Sequence, residues 1–230
     1  MRSETAVLEL ELVVSEPQLG LARDVSLSLR LLPGDSLLIE VADAVSAAAF
    51  ADLCIGLVPP RSGRVRFVGK DWRGLPDDYA AALRGRIGRV FGTGAWVPFL
   101  DVETGILLPL LHHTRRNRRE LRLEAVALAR EFGLPGLPVD RPLDVVEDDL
   151  DCAGLVRAFL GDPLLVLVED CRNISLVRFP AVLNRVAAVG DRGGAVVWLA
   201  RSPTTRNVSF PASRHFRLSG QGLASVRSLE

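Results

Sequence analysis

The stretch that most constrains this chain runs from Ser36 to Leu57, SLLIEVADAVSAAAFADLCIGL. A short apolar run at residues 37–39 predicts a buried strand, and the alanine-rich segment after it predicts a helix with Phe50, Leu53 and Leu57 on one face. A strand, a short loop and a helix in this order form the layout of the phosphate-binding loop G-x-x-x-x-G-K-[ST]. The stretch therefore has the layout of a phosphate site.

The residues that give such a loop its chemistry are replaced. Val41 and Ser46 stand where the motif has glycine, and Ala47 and Ala48 stand where it has lysine and then serine or threonine. Glycine allows backbone angles that a β-branched residue resists. Lysine brings positive charge to the outer phosphates, and the hydroxyl binds magnesium. We therefore expect neither alanine to act in catalysis.

The N-terminus of the predicted helix would still attract an anion without the lysine. A side chain of the chain itself, Asp43 or Ser46, can instead cap this terminus. We therefore expect no nucleotide, metal or other cofactor here. The altered loop comprises Val41, Asp43, Ala44 and Ser46.

Composition narrows the class of protein. The formal net charge is zero, with 28 basic and 28 acidic residues, so we expect no nucleic-acid partner. Lys70 is the only lysine and follows no glycine-rich loop, so the sequence contains no second candidate for a phosphate-loop lysine. The start, MRSETAVLEL, does not match a signal peptide, and no apolar run reaches the roughly 18 residues of a membrane span.

Cysteine and histidine usage predicts a reduced, cytosolic protein. Cys54, Cys152 and Cys171 are an odd and scattered set, and the three histidines complete no zinc-binding pattern with them. Glu169 and Asp170 follow a predicted buried strand, and two interpretations remain open for them: a metal site, or a solvated or arginine-paired remnant.

The order of predicted elements is that of an α/β domain. Residues 6–12 and 24–30 alternate between apolar and polar residues, which predicts half-exposed strands, whereas PLLVLVED and AVVWLA predict buried parallel strands. Helices are predicted within residues 102–132, with a break near Pro109 and the following arginines, and over residues 148–160. The tail from Ser213 predicts a small hairpin.

Four segments carry a resemblance to a known family: PGDSLLIEV, GLVPPRSGRVRFVGKDWRGLP, LRGRIGRVFGTGAWVPFLDV and VRAFLGDPLLVLVED. In this order they resemble the nucleotide-binding domain of ABC transporters over nearly the whole chain. The resemblance implies the ABC-type P-loop NTPase fold, with a mostly parallel core sheet and an N-terminal antiparallel β part. It also implies one domain over residues 1–230, with a helical subdomain inserted at about residues 100–160. The detail FGTGAWVPFLDV is most similar to ATPases of the Mla/Mce lipid-transport systems.

The resemblance also shows where this chain departs from the family's catalytic motifs. Gly92 stands at the Q-loop glutamine, Arg201 stands at the switch histidine, and Glu169-Asp170 reverses the Walker B pair. No aromatic residue precedes Phe50, so the stacking residue of the A-loop has no counterpart.

The signature motif LSGGQ aligns with Val145, Val146, Glu147, Asp148 and Asp149. In the family this motif faces the terminal phosphate of an ATP held by the opposite subunit, so three carboxylates would meet like charge. One such pair of unit charges at about 4 Å costs about 1 kcal/mol in water and about 4 kcal/mol at an effective dielectric constant of about 20.

These departures predict a non-enzymatic ABC-type subunit, structural or regulatory, of a membrane transporter, with lipid as one candidate substrate. An alternative is an atypical ATP-binding subunit that still supports hydrolysis in a heterodimer with an active paralogue. A third possibility is a soluble interaction module that pairs with no permease.

The loop AWVPF is unusually rich in large apolar residues, and its members are Ala95, Trp96, Val97, Pro98 and Phe99. It either packs into a subdomain interface or forms a docking surface. The resemblance places it at the groove that receives the coupling helix of a transmembrane permease subunit. It therefore implies a protein on the inner face of the cell membrane that works as a homodimer or as a heterodimer with an active ABC ATPase.

A cluster of arginines follows the first predicted helix: Arg115, Arg116, Arg118, Arg119 and Arg122. It predicts either a surface for lipid headgroups or nucleic acid, or simply the solvated start of the next helix.

Overall fold

The computed structural model describes residues 5–14, 25–92, 95–169, 177–201 and 212–226. Within these residues the strands are β1 (Leu8–Val14), β2 (Leu27–Leu31), β3 (Ser36–Val41), β4 (Ser62–Phe67), β5 (Lys70–Asp71), β6 (Ile87–Val90), β7 (Leu165–Glu169), β8 (Ala195–Arg201), β9 (Arg214–Ser219) and β10 (Gly222–Ser225). The α-helices are α1 (Ala44–Cys54), α2 (Asp77–Arg84), α3 (Val102–His113), α4 (Arg118–Glu131), α5 (Glu147–Phe159) and α6 (Phe179–Asp191).

The larger sheet has six strands in the order β10-β9-β3-β8-β7-β6. Its pairs are parallel except for β9 with β10, which form the hairpin predicted for the tail. All five residues of β7 are buried, as expected for a parallel strand covered on both faces. Because parallel strands end at one edge of the sheet, the carboxyl ends of β3, β6, β7 and β8 lie together there.

The smaller sheet is antiparallel, in the order β2-β1-β4-β5. In β1, Leu8 and Leu10 are buried, and Glu9 between them bonds to Arg66 on β4 at 2.8 Å. This alternation is the period of a strand with one solvated face. Both predicted N-terminal strands are therefore present, although each begins two or three residues later than expected.

Two apolar cores lie on opposite faces of the larger sheet, and β3 contributes to both. Leu37 and Ile39 pack with Phe50 of α1 and with the smaller sheet, whereas Leu38 faces the core formed by α3, α4, α5 and α6. The predicted architecture is thus confirmed: a mostly parallel sheet, an antiparallel β part and a helical part between residues 102 and 159.

The break predicted near Pro109 and the following arginines lies at residues 114–117, between α3 and α4, and not at Pro109 itself. Pro109 lies inside α3, whose buried residues Ile106, Leu107 and Leu110 keep the turns around it packed against the core. A proline removes one backbone hydrogen bond, and packing offsets that loss here. The helix ends at His113, and Asn117 caps the start of α4 through a 2.7 Å bond from the Arg119 amide. In the described part of the chain, none of the helices has the length and apolar character needed to cross a bilayer.

Candidate functional site

The link between β3 and α1 is only two residues long, because β3 ends at Val41 and α1 begins at Ala44. Asp43 is extended (φ −155°, ψ 177°), and its carboxylate accepts a 2.7 Å hydrogen bond from the Ser46 amide. This is the geometry of an N-cap. Of the two predicted caps, the structure therefore selects Asp43.

The other altered loop positions lie in regular structure. Ser46 and Ala47 are buried within α1, and Ala48 is half-buried. Val41 is buried at the end of β3, paired in register with Arg201 on β8. Val41 is the last residue of β3, so the loop backbone angles that glycine allows are not required of it here.

The Asp43 cap places a negative charge where a phosphate-binding loop would receive an anion. The backbone hydrogen bond from Ser46 lowers the pKa of Asp43, and the nearby Arg201 guanidinium contributes to the same shift. The carboxylate is therefore ionised at neutral pH, and it faces the positive end of the α1 dipole.

A second cluster, which the sequence analysis missed, is centred on Arg89 of β6. Its guanidinium forms an ion pair with Glu169 at the end of β7 and contacts Asp52 of α1 at 2.5 Å. The Arg89 and Glu169 side chains are 9% and 5% exposed, so the pair is almost fully desolvated. The signal in the sequence is the charged residue between apolar neighbours in IGRV.

This cluster decides between the interpretations of Glu169. The arginine-paired interpretation is confirmed for Glu169, whose carboxylate also accepts a long 3.5 Å contact from the Gly92 amide. Asp170 lies outside the described residues. Within the described ranges, no three metal-ligating side chains converge on one point. With an arginine beside Glu169 and alanine at the lysine position, these residues do not fit a magnesium-bound triphosphate held by this chain alone.

The segment aligned with the signature motif forms the start of α5. Val145 precedes it, Val146 is the N-cap residue, and Glu147–Asp149 are the first turn. Arg178 contacts Asp148 at 2.6 Å and Asp149 at 3.8 Å, so two of the three carboxylates have a positive charge nearby. Carboxylates in a first helical turn are also stabilised by the helix dipole.

A groove of about 430 Å³ opens between the C-terminal ends of α1 and α2, strand β6 and helix α3. Ala95, Trp96 and Val97 line it, whereas Pro98 and Phe99 do not. Trp96 is half-buried, and a Cβ atom placed on Gly105 of α3 would lie 3.0 Å from its ring. Trp96 therefore packs against α3 and also lines the groove. Phe99, which does not line the groove, is 77% exposed.

Arg157, near the end of α5, is a groove residue that sequence reasoning missed. Its guanidinium lies 4.3 Å from the centre of the Trp96 ring and 5.0 Å from that of Phe91. Its Nη1 donates a 3.1 Å hydrogen bond to the carbonyl oxygen of Ala95, a residue with a left-handed backbone (φ 35°). Burial, with a smaller contribution from Arg89, lowers the pKa of Arg157 to about 10. The α5 sequence LVRAF offered only a charged residue in an apolar run as a signal.

Three of the five arginines after α3 pair with two carboxylates, Glu124 and Glu103. Arg116 pairs with Glu124 at 2.6 Å, and Arg122 pairs with Glu103 at 2.9 Å. These arginine side chains are 39% and 51% exposed. These partly exposed ion pairs are compatible with the solvated helix start, which stays a prediction.

Three features together define the fold of ATP-binding cassettes, the ABC-type P-loop NTPases. They are the strand order of the six-stranded sheet, the separate antiparallel sheet and the helical part. A solved ATP-binding subunit of an ABC transporter superposes with a TM-score of 0.79 over 96% of this chain and 90% of its own, at 17% identity. A dimeric ATP-binding cassette in a post-hydrolysis state with ADP and Pi superposes with a TM-score of 0.76 over 96% of this chain and 100% of its own, also at 17% identity.

In sequence the chain is similar to ATP-binding proteins of ABC transporters. The oligopeptide transport ATP-binding protein OppF of Escherichia coli is 27% identical over 62% of this chain and 44% of its own length. The lipoprotein-releasing system ATP-binding protein LolD of Anaeromyxobacter dehalogenans is 30% identical over 50% of this chain and 49% of its own. The matches thus span less than half the length of these relatives. A comparison with family models found no match.

These comparisons contradict the prediction that the chain is not an enzyme. The relatives are named as ATP-binding proteins, and one structural neighbour was captured in a post-hydrolysis state with ADP and Pi. The prediction failed because it took the replaced motif residues as sufficient to exclude activity. The solved cassettes with this fold include dimers, so residues of one subunit need not account for the whole reaction.

Proposed function

We propose that this chain is an ATP-binding-cassette subunit of a membrane transporter and supports ATP hydrolysis as one half of a cassette dimer. The observation that carries the proposal is the cassette fold over 96% of the chain. In the same molecule, an apolar groove is open beside β6. Since the α1 loop carries alanine at its lysine position, the other cassette is proposed to be a paralogue with a lysine-bearing loop.

The groove supports the permease part of the proposal. Its lining includes Leu57 and Leu108, which are 56% and 42% exposed, together with Trp96. Large apolar side chains around a concave surface are typical of sites that receive an amphipathic helix. We assign this groove to the coupling helix of a transmembrane subunit, which would hold the chain at the cytoplasmic face of a membrane.

The dimer is tested by purifying the tagged chain from membranes in detergent and measuring magnesium-dependent ATP hydrolysis. We expect a second cassette and a transmembrane subunit in the complex, and a rate above that of the second cassette alone. A complex whose rate equals that of the separate cassette, or that contains no second cassette, would contradict the proposal.

Docking is tested by membrane fractionation of groove variants. Leu108→Asp places a charge in the groove and should move the chain to the soluble fraction. Leu123→Asp is the matched control, because Leu123 is 63% exposed on α4 and lies outside the groove. Replacing Arg115, Arg116 and Arg119 with glutamine should leave the chain on the membrane. Release by the arginine variant, with retention of Leu108→Asp, would mean that lipid electrostatics holds the chain.

Two narrower proposals accompany this function. The similarity of residues 91–102 to Mla/Mce ATPases supports lipid as the transported substrate, which lipid analysis of the purified complex tests. We also propose that residues 1–230 form one domain, so thermal unfolding should show a single cooperative transition.

A further inference from the structure

Arg89 is a cation that oxygen atoms from two other elements surround. Its guanidinium pairs with the Glu169 carboxylate at the end of β7 and lies 2.5 Å from the Asp52 carboxylate of α1. Its Nη2 atom also donates a 3.4 Å hydrogen bond to the Ala48 carbonyl oxygen of α1. The Phe91 ring centre lies 4.5 Å from the guanidinium carbon. Two carboxylates and one carbonyl therefore contact a single positive group that is almost fully buried.

Two of these contacts fall at positions that hold magnesium in a P-loop NTPase. The metal there is bound by the serine or threonine of the phosphate loop and by the aspartate of the Walker B pair. In this chain the first position is Ala48, which has no hydroxyl, and the second is Glu169. Arg89 reaches both of them. Its guanidinium thus lies between the two elements that would otherwise bind the ion.

We propose that Arg89 is a resident cation that takes the place of a divalent ion in this chain. Beneath it, the carboxylates of Glu169 and Asp52 and the Ala48 carbonyl oxygen form a latent ion site, which only the loss of Arg89 opens. Carboxylate and carbonyl oxygens are the ligands that Mg²⁺, Mn²⁺ and Ca²⁺ prefer. The Asp52 side chain is 32% exposed, so an ion could enter from solvent once the guanidinium is gone.

The proposal concerns this chain alone and goes beyond the proposed function. It explains why the residues of this cradle do not fit magnesium: the positive charge that the two carboxylates need is already supplied by a side chain. In the proposed dimer, the magnesium needed for hydrolysis would then be bound by the other cassette.

The alternative is an ion pair that only stabilises the fold and covers no ion site. Arg64 offers a matched comparison, because it also lies between two carboxylates, at 3.9 Å from Glu11 and 3.9 Å from Asp71. Its side chain is 58% exposed, so these carboxylates stay hydrated when it is removed. A serine at position 89 should therefore create an ion site, and a serine at position 64 should not.

The test titrates MnCl₂ against the full chain and follows free Mn²⁺ by electron paramagnetic resonance. Arg89→Ser should bind one Mn²⁺ at least about tenfold more tightly than wild type or Arg64→Ser does. Adding Asp52→Asn or Glu169→Gln to Arg89→Ser should remove the gain. Arg89→Lys keeps a tethered positive charge and should bind Mn²⁺ no better than wild type.

Urea unfolding provides a second measurement, because Arg89→Ser is expected to be less stable than wild type. An ion that binds only the folded state raises the free energy of unfolding. MnCl₂ should therefore raise the urea midpoint of Arg89→Ser, or restore its folding, and leave the wild-type midpoint unchanged.

Three outcomes would overturn the proposal. They are wild-type Mn²⁺ binding that Glu169→Gln abolishes, an Arg89→Ser chain that MnCl₂ neither binds nor stabilises, and equal gains in Arg89→Ser and Arg64→Ser. The first outcome would leave the proposed function intact, since a cassette dimer can hydrolyse ATP with a metal in either half. A purified complex without a second cassette would instead contradict the proposed function and leave this proposal standing.

Discussion

The carboxylate of Asp43 accepts a 2.7 Å hydrogen bond from the backbone amide of Ser46 at the start of α1. Asp43→Ala should therefore lower the free energy of unfolding by about 1 kcal/mol, whereas Asp43→Asn keeps an oxygen acceptor and should cost less. Urea unfolding at pH 7 measures both. An alanine variant as stable as wild type would mean that this bond does not stabilise the helix.

The same bond gives a pH dependence with a definite sign. The hydrogen bond lowers the pKa of Asp43 in the folded state, so its contribution is present above the unfolded value of about 3.9 and is lost as pH falls through the folded value. The stability difference between wild type and Asp43→Ala should therefore shrink in acid. A difference that stays constant from pH 7 to the acid range would contradict this assignment.

The position of Asp43 illustrates what the sequence could predict. Residue types at Val41–Ala48 predicted a cap by Asp43 or Ser46 at the start of α1, because capping is local chemistry. The Arg89 and Arg157 contacts could not be found in this way, since each joins elements 37 to 80 positions apart in sequence. Their geometry depends on strand order and helix packing, which local residue patterns do not determine.

Removing Arg89 should destabilise the protein strongly, because Glu169 would stay buried without the guanidinium that faces it. Arg89→Met should lower the free energy of unfolding by about 3 kcal/mol, and adding Glu169→Gln should recover part of that loss. Arg64→Met is the control: Arg64 is 58% exposed with ion pairs at 3.9 Å, so it should cost less than about 1 kcal/mol. Strict additivity in the Arg89 and Glu169 cycle, measured by urea unfolding, would show that the pair is not coupled.

His113 should make the folded state less stable in mild acid. Burial lowers its pKa, and the nearby His112 and Arg84 charges add to the shift. The folded state thus favours the neutral imidazole, so stability should fall as pH drops below the unfolded value of about 6.5 toward the folded value. His113→Gln should reduce the change of unfolding free energy between pH 7.5 and 5, measured by urea unfolding. Substitution of the exposed His112 by glutamine should reduce it less. An unchanged slope in His113→Gln would assign the effect to another group.

Alanine substitution should change the unfolding free energy in opposite directions at two glycines, one on β6 facing α5 and one within α5. A Cβ atom on Gly88 of β6 would lie 1.8 Å from the carbonyl oxygen of Ala158, whereas one on Gly154 within α5 would meet nothing within 4 Å. Gly88→Ala should therefore cost at least about 2 kcal/mol of unfolding free energy, and Gly154→Ala should add about 0.5 to 1 kcal/mol through helix propensity. Thermal and urea unfolding measure both changes. Similar effects of the two substitutions would show that the close approach at Gly88 does not limit packing.

The close approach at Gly88 also has a mechanical consequence. It holds the C-terminal end of α5 against β6 beside Arg157, while the acidic turn at Glu147–Asp149 lies about 15 Å away along the same helix, at about 1.5 Å per residue. Because the contact with β6 lies at one end of α5, any tilt of the helix about it would displace the acidic turn more than it displaces Arg157.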